Sequence, residues 1–173
     1  MTPPRPEPWL RGPVSGIPAL LQPAAHAFIM AREDAVAAAA GLTQSQLWMT
    51  PGGAASPGFH LLHLAGSTDR LLTYARGEGL TERQREALAS EKAPPEPRPS
   101  AEQLLGEWEA TVDRALAQLA ATAESELTRP REVGRARLPS TVLGLLFHAA
   151  EHAQRHTGQL VATAKIIQGM SPT

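Results

Sequence analysis

The chain has no cysteine. That excludes disulfides, thiolate metal ligands and a protein thiol nucleophile, and it is compatible with a reducing compartment. Aromatic residues are scarce, at 4% with a single tyrosine. Charge of one sign is also missing: the formal net charge is −1, so nothing draws the chain to nucleic acid or to an anionic membrane surface. No apolar run approaches the ~18 residues that a membrane span needs. The opening MTPPRPEPWLRGPVSG lacks an apolar segment and is broken by prolines, which is not the pattern of a secretory leader. The expectation is a soluble, cytoplasmic protein with no membrane partner and no nucleic-acid partner.

What is present favours helix. Hydrophobic residues make up 42% of the 173, enough for one domain with a core, and alanine and leucine dominate them. Both are strong helix formers. An apolar pattern at helical spacing runs from about Ile17 to Ala40 through Leu20, Leu21, Ala24, Ala27, Phe28, Ala31 and Ala35. Pro18 suits a first turn, while Pro23 argues for a later start. Gly41 suits the end. The linker that follows carries Pro-Gly-Gly and Ser-Pro-Gly turn chemistry, with a short helical turn at Thr43 to Trp48. A second helix is expected from Ser56-Pro57 to Gly77, with Phe59, Leu62, Leu64, Leu71, Leu72 and Tyr74 as its stripe. Thr81 opens a short polar helix. A proline-rich break over Pro94 to Pro99 precedes a third helix, where Ser100 and Gln103 match a capping box. Its apolar face is Leu104, Leu105, Trp108, Val112, Leu116 and Leu119. Residues 125–138 read as a long loop holding a short hairpin. The fourth helix is expected from Pro139-Ser140 to about Gln168, with Leu143, Leu146, Phe147, Ala150, Leu160, Val161, Ala164 and Ile167 apolar. The reading is an all-α four-helix bundle over residues 17–170, behind a flexible segment of residues 1–16.

Five of the six histidines fall on the second and fourth helices: His60 and His63, then His148, His152 and His156. The last three are spaced i, i+4, i+8. Each step of four turns by only ~40° and rises ~6 Å, so neighbours can share an ion, whereas the outer pair stands ~12 Å apart. The fourth helix therefore offers His148 with His152, or His152 with His156. A further ligand is needed, and His60 or His63 can supply it. Three imidazoles and an open position make a catalytic type of site. A lone histidine such as His26 reads as an ordinary surface or core group.

Two other patterns compete. His148-Ala-Ala-Glu151-His152 matches the inverted zinc-protease motif, with Glu151 as base, but the motif is short and the chain is a small helical bundle. The di-iron bundle signature Glu-x-x-His does not occur at any histidine. No glycine-rich phosphate loop is present.

The run His148-AAE-His152-AQR-His156-Thr-Gly158-Gln159-Leu160 resembles the last-helix motif of the DinB-like (DinB/YfiT) superfamily. Phe59-His60-Leu-Leu-His63-Leu-Ala resembles the second helix of that family. The resemblance spans about Ile17 to Gly169. It implies a bundle of the DinB/YfiT type with a crossover connection, often paired as a homodimer. It implies one divalent metal ion, zinc or nickel, on His63, His152 and His156, with His60 and His148 as neighbours. It also implies a metalloenzyme that can use a low-molecular-weight thiol as an S-transferase. Relatives often carry a histidine before the last ligand and a basic residue after it; this chain has Arg155 and Thr157.

On this reading a thiol or other small-molecule substrate comes from solution, since the protein has no thiol of its own. Hydrolysis by a metal-activated water is the alternative, and a non-catalytic, metal-stabilised ligand-binding bundle is a third. Closure of the site by His60 or His148 would mark a structural role. Candidates to orient the imidazoles are Glu33, Asp34, Asp69, Glu151 and Gln159. Arg70 is expected to pair with Asp69 at an exposed or interface position. Trp48 and Trp108 are expected in the core or as pocket walls.

Overall fold

Capping chemistry sets where most of the helices begin. Thr43, Ser56, Thr81 and Ser100 each accept a hydrogen bond from the backbone N–H three residues on. At Thr43, Thr81 and Ser100 a glutamine returns the bond to the capping residue, which completes a capping box. The computed structural model describes residues 5–91, 93 and 96–170. Its helices are α1 (Gln22–Ala39), α2 (Gln44–Leu47), α3 (Pro57–Arg76), α4 (Glu82–Ser90), α5 (Ala101–Ala121) and α6 (Val142–Met170). A 3-10 turn at Ala19–Leu21 leads into α1, so Pro23 occupies the first turn, where its missing N–H costs nothing. Gly77 ends α3 in the left-handed conformation at φ 81°, which a side chain would disfavour.

The last helix starts later than the sequence pattern predicts. Pro139 and Ser140 lie in β2 (Leu138–Thr141), antiparallel to β1 (Pro130–Val133). Pro139 is tolerated because a two-stranded ribbon leaves half its N–H positions outside the ladder. α6 begins after it, where Thr141 Oγ1 accepts from Gly144 N–H at 3.0 Å. The proline-rich break at residues 94–99 falls partly outside the described residues.

The four long helices pack as α3 on α6, α6 on α1, α1 on α5 and α5 on α3. Thus α1 lies diagonally across from α3, and α5 from α6. Both connections that cross a diagonal are long: residues 40–56 carry α2, and residues 122–141 carry the hairpin. The core runs through Phe28, Leu61, Leu64, Trp108, Leu146 and Leu160, all 0% exposed. The stripe of α3 differs from the predicted one. Leu61, Leu64, Ala65, Thr68, Leu72 and Ala75 are buried, whereas Leu62, Leu71 and Tyr74 are half-buried. Phe147, expected inside, is 58% exposed. Ahead of α1, a 3-10 turn at Pro8–Leu10 precedes Arg11, whose guanidinium grips Glu33 of α1 at 2.6 and 2.7 Å. No helix among the described residues is long and apolar enough to cross a membrane.

Candidate metal centre

The packing of α3 against α6 brings the histidines together. His60 and His63 stand about one turn apart on α3, and His152 and His156 one turn apart on α6. One nitrogen from each of His63, His152 and His156 lies within 4.8 Å of the others. All three side chains are half-buried. Their rings crowd one another: centroids are 4.3 Å apart for His63 and His156, 4.5 Å for His152 and His156, and 5.2 Å for His63 and His152. His63 Nε2 and His152 Nε2 approach to 2.9 Å. Phe59 stacks on His63 at a centroid distance of 5.6 Å, one wall of the group.

Two of the other ring nitrogens are held from behind. His63 Nδ1 lies 2.8 Å from Glu91 Oε2, which leaves Nε2 free to face His152. His156 Nδ1 meets His60 Nδ1 at 3.2 Å, which leaves the Nε2 of His156 free. His152 Nδ1 is buried without a hydrogen-bond partner. A buried imidazole nitrogen without a partner is costly, so this end of the group is incomplete as a hydrogen-bonded core.

Burial disfavours charge on these rings. It pulls His60 and His156 down to about 4, helped by neighbouring histidines, and lowers His152 in the same way. At neutral pH they are therefore neutral, with lone pairs able to bind a cation. Glu91 stays ionised. Its burial opposes the charge, but hydrogen bonds from His63 and Arg70 outweigh that and hold its carboxyl below the usual range.

The remaining candidates take other places. His148 packs its ring 5.5 Å from that of His152, but it is exposed, lies 3.4 Å from Glu151 and is not among the converging nitrogens. Glu151 is held at the surface by Arg155 at 2.5 Å, which lowers its pKa and turns it from the role of a base in the His-x-x-Glu-His motif. His26 bonds to the Gly12 carbonyl at 3.0 Å. Glu33 is engaged by Arg11, Asp69 accepts from Gln84 at 2.7 Å, and Gln159 is exposed. Asp34 is pushed up by burial, then by Glu33 and Glu7. None of the five predicted orienting residues bonds to His63, His152 or His156 among the described contacts. Trp108 is fully buried, and Trp48 donates to the Pro99 carbonyl at 3.2 Å.

Glu91 is the residue that sequence reasoning missed. It lies 28 positions from His63, just past a polar helix and before a run of prolines, where no periodicity marks it. The expected Arg70–Asp69 pair is also corrected. Arg70 is only 8% exposed and donates to Glu91 Oε1 at 2.6 Å. A usable signal was present on α3, where Gly66 and Arg70 follow His63 at helical spacing.

A cavity of about 840 Å³ between α3, α4 and α5 reaches Glu91 and Gly66 but none of the histidines. The three imidazoles fit a divalent ion by their chemistry, being nitrogen donors of the kind such ions take. No curated protein matches the chain. The sequence model of the DinB superfamily, however, matches residues 27–160, a span that holds most of α1, every histidine on α3 and α6, and Glu91, and the chain belongs to that superfamily.

Proposed function

We propose that the protein holds one divalent metal ion, zinc or nickel, on His63, His152 and His156, and that it is a metalloenzyme acting on a small molecule. The observation that carries this reading is the convergence of three imidazoles from two packed helices, within 4.8 Å, in a chain without cysteine. A divalent ion in that position supplies Lewis acidity and lowers the pKa of a bound water or thiol.

The residues themselves bind and orient. His63 and His156 each have Nδ1 occupied from behind, and His63 turns its Nε2 toward His152. His60 is buried against His156, and His148 is exposed beside Glu151. Neither joins the three whose nitrogens converge within 4.8 Å, which supports a reactive rather than a structural centre. The favoured chemistry is thiol-dependent S-transfer. The protein offers no thiol, so the nucleophile arrives as a low-molecular-weight cofactor in the cytoplasm. A homodimer is part of the same reading. Hydrolysis uses the same three ligands. Glu151, the base that His-x-x-Glu-His chemistry would call on, is tied to Arg155, which weighs against the protease form of it.

The test is elemental analysis of untagged protein beside His63→Ala and His152→Ala. About one ion per chain, lost in both variants, is the expected result; thiol-transfer assays with a small electrophile follow. A wild-type protein that takes up neither zinc nor nickel would overturn the reading.

A further inference from the structure

Glu91 is a buried carboxylate in a position that needs explaining. It follows α4, a helix with no buried residue, yet its own side chain is only 8% exposed. One oxygen lies 2.8 Å from His63 Nδ1, and the other accepts from Arg70 Nη1 at 2.6 Å. Burying an ion pair rarely stabilises a fold more than an apolar pair of the same size, so its geometry invites another use.

The helix beneath is shaped to receive it. Gly66 sits inside α3, where glycine costs helix stability. A methyl group there would lie 2.6 Å from Glu91 Oε1 and 2.9 Å from Arg70 Nη1. The absent side chain is the seat of the carboxylate. α3 thus carries the imidazole (His63), the seat (Gly66) and the guanidinium (Arg70) at successive turns, all directed at a residue from another segment.

We infer that Glu91 is a positioning residue for the metal centre. It fixes His63 as the tautomer with the proton on Nδ1 and the lone pair on Nε2, and Arg70 and Gly66 hold Glu91 in place. A carboxylate that accepts from the outer N–H of a ligand imidazole fixes the ring's orientation and raises its basicity toward the ion, and losing such a partner weakens metal affinity about 10–100-fold. Glu91 accepts only while its other oxygen is anchored, and Arg70 provides that anchor. This inference rests on the metal reading above.

The experiment compares the full-length wild type with Glu91→Gln, Glu91→Ala and Gly66→Ala. Zinc affinity is measured by competition with a chromophoric chelator, and the ligand-field bands of the cobalt(II)-loaded proteins are recorded. Zinc binding is expected to weaken about 10–100-fold in Glu91→Ala, with altered cobalt bands. Gly66→Ala should shift in the same direction, and Glu91→Gln should be intermediate. Unchanged affinity and bands in all three, even with a lower melting temperature, would make Glu91 a mere tether and overturn the inference. Because Glu91→Ala strands Arg70, the double variant Glu91→Met with Arg70→Met provides a fold without a buried lone charge; it too should bind zinc weakly. Independently of any variant, the ring nitrogens of His63 can be followed by long-range 15N correlation in the wild type. A proton on Nδ1 is expected, and a proton on Nε2 with a bare Nδ1 would overturn the inference. Wild-type protein that binds no metal would instead fail the metal reading itself, and this inference with it.

Discussion

Gly58, Gly66 and Gly106 all lie inside helices, and their surroundings separate them. A methyl group at Gly58 would sit 2.9 Å from the Trp48 ring, while at Gly106 it would meet nothing within 4 Å. Overpacking against a ring costs about 1–3 kcal/mol, against roughly 1 kcal/mol gained in helix propensity. Gly58→Ala is therefore expected to destabilise by up to about 2 kcal/mol, and Gly106→Ala to stabilise by roughly 0.5–1 kcal/mol. Urea denaturation of the two variants checks both signs. A second residue-scale prediction concerns Glu33, held below its ordinary 4.5 by the hydrogen bond from Arg11. A carboxylate with a depressed folded-state pKa adds stability that is full above the unfolded value and fades as pH falls through the folded one. Wild type should thus be slightly more stable than Arg11→Ala at pH 7, and the gap should close on acidification below 4.5. A gap that does not narrow as the pH falls below 4.5 would mean that Arg11 acts by packing instead.

At the scale of elements, α4 stands apart from the four long helices. Its residues bury nothing, and it is fixed by a few polar contacts. Gln84 reaches Asp69 and Thr73 of α3 at 2.7 and 2.8 Å, and Glu91 at its end reaches Arg70. Helices with little buried apolar surface open locally at low cost. Backbone amides of Glu82–Ser90 are expected to exchange with deuterium well ahead of those in α3. Equal protection in the two helices would show that α4 opens only with the whole bundle. The hairpin of β1 and β2 plays the opposite part. It lays residues 130–141 as a ribbon against α3 and α6, and it delivers α6 in the register that sets His152 and His156 against His63.

For the whole molecule, the proposed ion joins α3 to α6 across one packed pair of the bundle. A ligand that binds only the folded state stabilises it by about 2.7 kcal/mol at a free concentration of 100 Kd. In a chain of this size each kcal/mol moves the melting temperature by roughly 2–4 °C. Stripping with a strong chelator is therefore expected to lower the melting temperature by several degrees, and zinc or nickel should restore it. Calorimetry of His156→Ala, which should no longer respond to either treatment, separates a specific site from metal binding elsewhere.

The sequence by itself determined the helices and the histidine series that α3 and α6 carry. Helix starts were legible at Ser56, Thr81 and Ser100 because capping is local: the donor and acceptor lie three residues apart. The histidine series on α6 was legible for the same reason, since helical spacing alone puts neighbours on one face. Only the tertiary structure decided what depends on distant segments. Phe147 is apolar, but the register of α6 leaves it in solvent. Pro139 and Ser140 look like a helix start, yet they pair with residues of β1. Arg70 has Asp69 beside it in sequence, but adjacent residues on a helix point about 100° apart, and its partner is Glu91. Whether Glu91 or any of the five predicted polar residues meets His63 depends on where the chain returns after α4, and no local pattern encodes that return.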